Sequence, residues 1–499
     1  MLRARAIAGF PDVLLLVTLA SLGICSTVLI QHSGVSAVVL VVLLVPVVVL
    51  TSRALYLAAG RLHALREQLA WWHGLWLVLL LSSLVFRIRD VQTIRDSPID
   101  PWALYRMVLM AGVALVLGLR LVLRITDWTK PLVRGLVGVL AIHALIALAS
   151  TLWSVYPAWT LYKSCEFLVD VVLLAAVLAS VQSTVAFKSL FDWTWVLFGG
   201  LLATVWAGAV LAPGTAFVSG GDILPLRIRG VVPAMDQNSV GDLAAILAIA
   251  GLTRLVSPNR GRDSHFFHAV FFVVSLATLA FSQTRAAIVG FLVAALLVLF
   301  FSRRFKTIAV PTLAVALILS LTSASNFLAV AWQRGDRPEE LENFSGRYPI
   351  WEELWGRFEQ SPWIGFGAYA GTRFTVLTAV GDTSLSSGLN AYLEVALGTG
   401  LLGLVPLLLV LAGTWWVLVR TVAKVRPWLL ERQLAVEALG VLTVITVRSF
   451  FTVQFVWHPA LEFLVILGYA EFLRRSRNLP FGVCEKLAPR PFSRPLTQA

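Results

Sequence analysis

Apolar and polar positions along this chain fall into long blocks. Apolar runs of roughly 17–25 residues recur from end to end, each long enough to cross a ~30 Å hydrocarbon layer as an α-helix. They predict about fourteen helices, near 11–30, 35–51, 69–86, 102–122, 133–152, 164–181, 188–211, 238–254, 266–281, 286–302, 307–332, 390–419, 433–456 and 459–473. A soluble core would require polar faces that these segments lack. The stretch Phe266–Phe301 would be about 54 Å long as one helix. The pattern therefore breaks it at Ser282-Gln283-Thr284-Arg285, the polar cluster inside it. The first run follows Arg3 and Arg5 in the manner of a signal peptide. A second apolar run follows within a few residues, so it reads as an uncleaved first helix.

With these spans, alternate connections sort by charge. One side receives Arg3 and Arg5, Arg53/Arg61/Arg66, Arg124/Lys130/Arg134, Lys188 and Arg254/Arg260/Arg262. It also receives Arg303/Arg304/Lys306, Arg420/Lys424/Arg426/Arg432 and the tail with Arg474, Arg475 and Arg477. By the positive-inside rule that side, with both termini, is the cytoplasm. The opposite side has two substantial connections, Ala212–Gln237 and about 333–389, the latter holding Asp336, Glu339, Glu340 and Glu342. Within the larger one, Trp351, Leu354, Trp355 and Phe358 recur at helical spacing. Pro349 suits a first turn, and Glu352 and Glu353 suit the positive end of the helix dipole. The expected fold is thus all-α and integral to the membrane, with about 12–14 transmembrane helices. One large external loop lies between the eleventh and twelfth and carries an interfacial amphipathic helix, tryptophans towards the lipid. The chain divides into helices over 1–130, a core over 131–475 that includes the loop 333–389, and a cytoplasmic tail over 476–499.

Composition adds little to this picture. The chain has 58% hydrophobic and 13% charged residues, with a mean hydropathy of +0.84. The net charge of +13 suggests nucleic acid until topology accounts for it. Cys25, Cys165 and Cys484 are scattered and odd in number, so they define neither a disulfide framework nor a metal site.

Three arginines fall on the outer side: Arg229 in Arg227-Ile228-Arg229-Gly230, Arg285 at the tight reversal, and Arg347 ahead of the amphipathic helix. An arginine near the membrane faces a cavity, pairs with an anion, or snorkels to the interface. Guanidinium groups fork onto phosphate oxygens as lysine cannot, which suggests a pyrophosphate pocket at the outer leaflet. The plain alternative for each is a helix-end contact. Glu166 and Asp170 lie one turn apart, and Asp242 and Glu394 sit near outer helix ends. Arg448, in the thirteenth expected helix, is read as a structural partner of an acid such as Glu437 or Glu462. Asp90, Asp96 and Asp100 form a loop cluster that either holds a divalent metal or is simply solvated. Of the histidines, only His32 and His458 fall on the outer side, and the large loop has none.

Taken in order, several segments resemble the O-antigen ligase/polymerase family of bacterial polysaccharide assembly. They are Ser154-Val155-Tyr156-Pro157, Arg229-Gly230 with Asp236-Gln237-Asn238, Ser282-Gln283-Thr284-Arg285, and Ser345-Gly346-Arg347 with Ile350-Trp351. Ser361-Pro362-Trp363-Ile364-Gly365-Phe366-Gly367 and Asn390-Ala391-Tyr392-Leu393-Glu394, ending in Gly400-Leu401-Leu402-Gly403, complete the set. The resemblance spans roughly residues 140–470. It implies a membrane glycosyltransferase that uses neither metal nor cofactor and moves a glycan from an undecaprenyl-pyrophosphate carrier to an acceptor. That acceptor is lipid A core for a ligase, or another carrier-linked repeat for an O-antigen or exopolysaccharide polymerase. The family's essential arginines would map to Arg229 and Arg285, acting on the pyrophosphate leaving group. Arg347, Arg227, Asn238, Asn390 and Glu394 would bind substrate. The implied partners are the lipid-linked oligosaccharide, the acceptor glycan, the bilayer and a chain-length regulator, but no nucleic acid. The implied setting is the bacterial inner membrane, with the active site facing the periplasm. Where the family reads His-Asn, this chain has Leu389-Asn390, and leucine accepts no proton. Either Glu394, Asp382 or His458 serves as base, or the chain tolerates slow deprotonation, or it is a non-catalytic member. A transporter is the alternative of another class. No inverted pattern of broken helices supports it.

Overall fold

The computed structural model describes residues 52–54, 56–84, 91–97, 99–219, 226–257, 262–302, 347–380, 387–455 and 457–476. The expected helices 11–30, 35–51 and 307–332, the acidic run 336–342, Asp90, Asp382, His32 and the tail after Ser476 lie outside the described residues.

The other eleven expected helices all have counterparts. They are α1 (Trp71–Ser83), α2 (Pro101–Val122), α3 (Gly135–Ala149), α4 (Pro157–Ser180), α5 (Thr184–Leu211), α6 (Gln237–Val256), α7 (Arg262–Ser282) and α8 (Arg285–Phe301). After α9 (Tyr348–Gln360), the expected amphipathic helix, come α10 (Ala391–Lys424), α11 (Leu430–Arg448) and α12 (Leu461–Ser476). A hairpin of β1 (Phe217–Ser219) and β2 (Leu226–Ile228), antiparallel with Val218 opposite Arg227, interrupts the helical pattern. Among the described residues, six helices are long and apolar enough to cross a membrane: α2, α3 with the turn that extends it to Leu152, α5, α6, most of α7, and α10. The chain is an all-α integral membrane protein.

The core follows from which helices are apolar all round. Residues 434–445 of α11 and 463–471 of α12 are buried without a break, so these two helices stand at the centre. By contrast, α2 exposes Val108, Leu115, Leu119 and Val122, an apolar stripe suited to lipid.

Two ends can be told apart by their contacts. At one end, Arg254 forms ion pairs with Glu437 (2.8 Å) and Asp192 (2.7 Å). At the same end, Glu471 accepts from Arg474, Arg475 and the Leu136 amide. The opposite, loop-rich end gathers residues 150–156, the hairpin, the 282–284 break, residues 347–380 and 387–390, and residues 449–455 and 457–460.

The Ser282–Arg285 break falls where the pattern placed it. Gln283 has a left-handed φ of 51°. The Thr284 hydroxyl donates to the Gln237 carbonyl (2.9 Å) and the Gln283 amide to Leu226 (3.2 Å), so the reversal is tied to α6 and the hairpin. Two boundaries differ from expectation. Helix α4 starts at Pro157, seven residues early, because proline is favoured at the first helical position, where its missing N–H costs nothing. Helix α11 ends at Arg448 although apolar residues continue, because the following turn is taken up by Ser449 and Phe451 contacts.

Helix α10 contains a break of its own. Gly400 has φ 62° and non-helical geometry inside the 34-residue element. The segment 361–371 is stitched to this break: Phe366 N donates to Leu397 O, Gly367 N to Gly398 O, and Leu401 N to Pro362 O, all at 2.8–2.9 Å. Val155 N in turn donates to Phe366 O (3.0 Å). The Ser154–Pro157, Ser361–Gly367 and Gly400–Gly403 segments therefore form one knot.

Candidate functional site

At the loop-rich end, α6, α8, α9 and α10 all begin. Their first-turn amides carry the positive end of four helix dipoles. Asp236 caps α6 through Ser239 N (2.8 Å). Asn390 caps α10 by accepting from Tyr392 N (3.0 Å) and Leu393 N (3.1 Å). The Ala391 amide donates to Ser449 O (2.8 Å), which seats the start of α10 beside the end of α11.

Arg448, the last residue of α11, is fully buried. Its Nε and Nη2 donate to the two carboxylate oxygens of Asp242 on α6, the second at 2.9 Å. Asp242, and not the expected Glu437 or Glu462, is therefore the partner of Arg448. Glu437 lies about three turns along α11 from Arg448 and pairs with Arg254, whereas Asp242 lies 206 residues from Arg448 in sequence and in the second turn of α6. Helix α8 approaches the same spot, since a Cβ on Gly290 would lie 3.7 Å from Arg448 Cγ. Arg285 is the first residue of α8.

Arg347 joins from above. It precedes α9, and its guanidinium lies 5.8 Å over the Phe451 ring, whose own amide donates to Arg448 O (2.7 Å). Its pKa is lowered, first by burial and then by the positive charge of Arg448 and of Arg285, with Asp242 opposing. Arg347 thus lies within electrostatic reach of both Arg448 and Arg285. Two of their donors, Arg347 Nε and Arg448 Nη1, are buried without a hydrogen-bond partner. Buried guanidinium donors left without acceptors are costly, and an anion is the natural acceptor for them.

The remaining candidates are placed differently. Arg229 stands at the rim, where its Nε donates to the Thr215 carbonyl and its amide to Ala216 O. Arg227 lies on β2 and Asn238 in the first turn of α6, both half-buried. Glu394 is buried in the first turn of α10, where Oε2 accepts from Gly388 N (3.0 Å) and holds the approach to the helix. It also lines a small cavity with Tyr369, His143 and Thr399, with room for about one water. Leu389 adopts φ 56°, the left-handed region.

Helix α9 carries its apolar face against protein. Ile350 and Leu354 pack on Val376, Leu377 and Leu397, and Trp351 Nε1 donates to Gly388 O (3.0 Å). Trp355 is turned outward, because the buried stripe runs one residue to the side of the one expected.

A second polar network was not legible in sequence. Glu166 bridges Arg106 (3.0 Å) and Lys163 (2.8 Å), all buried. Asp170 accepts from His458 Nδ1 (2.7 Å), and His458 Nε2 meets the Ser82 hydroxyl (2.6 Å). The one-turn spacing of Glu166 and Asp170, with Lys163 three residues before Glu166, was the available signal, but Arg106 comes from α2 and His458 from the segment ahead of α12. The loop aspartates have local roles: Asp100 caps α2 through Ala103 N, and Asp96 accepts from Gln92. Among the described residues, no group of three or more His, Cys, Asp or Glu side chains is placed to hold a metal ion.

Residues 270–408 match the family model described as O-Antigen ligase. No curated protein matches the chain. The matched segment runs from within α7 through the 282–284 break and α9 into the first half of α10. It contains Arg285, Arg347, Asn390 and Glu394.

Proposed function

With residues 270–408 belonging to the O-antigen ligase family, and the chain thereby assigned to membrane glycan assembly, we propose that it is a membrane glycosyltransferase. It transfers a glycan from an undecaprenyl-pyrophosphate carrier to an acceptor sugar, as an O-antigen or exopolysaccharide polymerase or an O-antigen ligase. The observation that carries this reading is the approach of Arg347 to Arg448 through Phe451, beside the start of α8 at Arg285, with Arg347 Nε and Arg448 Nη1 buried and unmet.

Glycosyl transfer from a lipid pyrophosphate develops negative charge on the leaving group as the anomeric C–O bond breaks. Fixed guanidinium groups and helix N-termini, away from bulk water, stabilise that charge without reorganising. Arg285 opens α8 and so combines its own charge with the dipole of that helix. Arg347 brings its charge from the external segment, and Arg229 guards the rim. The acceptor hydroxyl, attacking the anomeric carbon, gives up its proton. We assign Glu394 to take it, on the ground that it lines a small cavity and lies in the first turn of the helix that follows Leu389. The loop-rich end then faces the periplasm of a bacterial inner membrane, the arginine-rich end faces the cytoplasm, and the donor arrives in the outer leaflet.

The test is glycan assembly in a deletion strain complemented with wild type, Arg285→Ala, Arg347→Ala, Arg229→Ala or the control Asp96→Ala, each quantified in the membrane fraction. Loss of polymer with accumulation of lipid-linked precursor in the arginine variants alone supports the reading. Wild-type polymer from both Arg285→Ala and Arg347→Ala overturns it.

A further inference from the structure

We propose that Arg448 is a third substrate-contacting arginine, held in place by Asp242 as its positioning residue, so that the anion site is completed from α6 and α11, where the O-Antigen ligase match does not extend. This rests on the pyrophosphate reading above and adds to it two residues outside the matched segment 270–408.

The pair divides the donors of Arg448. Asp242 takes Nε and Nη2 of Arg448 in a two-point contact, which fixes the guanidinium plane. That leaves Nη1, buried and without a partner, on a side chain that is itself fully buried. That donor is available to an acceptor other than Asp242, and filling it would relieve the cost of leaving it buried and unmet. Arg347 supplies the second stranded donor, Nε, and has Arg448 as the charge that most affects it. Two arginines with unmet donors, close enough to repel, are stable together when something negative lies between them. Further acids around the pair are Asp236, whose carboxylate is occupied in capping α6, and Glu462 in the first turn of α12. Neither makes a hydrogen bond to Arg347 or Arg448 among the described residues. A pyrophosphate diester offers several oxygens in different directions. It would take Arg347 and Arg448 on one side and Arg285 with the start of α8 on the other.

The pair also locks the orientation of Arg448 before any ligand arrives. Arginine loses much of its free rotation on binding, and a carboxylate that fixes it in advance removes that cost from the binding step.

The experiment is a titration of the full chain in detergent with geranylgeranyl pyrophosphate, following its thermal unfolding midpoint and its Kd. Geranylgeraniol serves as the chain-matched probe without phosphate. Arg448→Lys keeps the charge and one contact to Asp242 but cannot fork. The double variant Asp242→Asn/Arg448→Gln keeps a neutral hydrogen-bonded pair at the α6–α11 contact, so folding survives. Both are expected to unfold, without ligand, within a few degrees of wild type and to bind the pyrophosphate at least tenfold more weakly. Asp242→Asn alone, which leaves Arg448 charged but less fixed, is expected to lose severalfold. None of these variants changes the response to geranylgeraniol. Wild-type Kd in Arg448→Lys and in the double variant, with weakened binding in Arg285→Ala and Arg347→Ala, overturns the role of Arg448 and leaves the pyrophosphate reading intact. A wild-type protein that responds equally to the pyrophosphate and the alcohol removes both.

Discussion

Gly400 and Gly356 are both helical in sequence context, yet a methyl group would act on them with opposite sign. Gly400 has φ 62°, and a Cβ there would lie 2.2 Å from the Trp363 carbonyl carbon, a backbone atom that cannot swing aside. A left-handed non-glycine residue and a backbone collision together cost about 2–4 kcal/mol. Gly400→Ala is therefore expected to lower the thermal unfolding midpoint in detergent and the yield in the membrane fraction. Gly356, inside α9, has nothing within 4 Å of its would-be Cβ. Gly356→Ala is expected to stabilise α9 by roughly 0.5–1 kcal/mol through helix propensity alone, read as slower proteolysis of the 347–360 segment. The same contrast separates what the family-like motifs do. Gly365 and Gly367, at φ 66° and 102°, serve the knot with Ser154 and α10. Asn390, expected to bind substrate, spends its side-chain oxygen on the cap of α10, while Arg285 and Arg347 stand in the anion cluster. Residue type and order singled out these segments. Which residues shape the backbone and which face the pocket depends on φ angles and contacts that a linear motif does not encode.

Among the helices, existence was legible and pairing was not. Apolar runs of bilayer length and a polar interruption are local properties, so the eleven helices and the Ser282–Arg285 reversal could be read directly. The partner of Arg448 could not, because Asp242 is 206 residues away and both lie near outer helix ends among other acids. The arginine-rich end shows what such distant pairs contribute. Glu437 on α11 accepts from Arg254 on α6 through both oxygens (2.8 and 3.0 Å) and from Trp195 Nε1 on α5 (2.6 Å). Glu437→Ala would leave Arg254 buried with Asp192 alone, and removing one side of a buried pair costs about 3–5 kcal/mol. The expected outcome is a large fall in unfolding midpoint with no selective change in lipid-pyrophosphate affinity in whatever folded protein remains. Leu354→Ala, in the contact of α9 with Val376 and Leu377, should act locally. Truncating a buried leucine costs about 2–5 kcal/mol, and here the loss falls on the docking of one short helix. Earlier proteolysis within 347–380, with the midpoint of the transmembrane core retained, is the expected signature.

For the molecule as a whole, orientation links the charge pattern to the chemistry. Lys/Arg-rich connections gather at the end where Arg254, Glu437 and Glu471 form their ion pairs, and the anion cluster lies at the other. If the basic end is cytoplasmic, the cluster meets only lipid-linked donors that have already been carried to the outer leaflet. The chain is then an acceptor of flipped substrates rather than a charger of the carrier. Cysteine accessibility tests this directly. In a background with Cys25, Cys165 and Cys484 replaced by serine, Leu152→Cys and Trp363→Cys would mark the loop-rich end, being 87% and 68% exposed. Trp428→Cys, 55% exposed between α10 and α11, would mark the other. In intact spheroplasts, a membrane-impermeant maleimide is expected to label the first two, and Trp428→Cys only after permeabilisation. The reverse pattern would place the arginine cluster in the cytoplasm. Assembly on flipped donors would then be excluded by geometry, even if every arginine variant had lost activity.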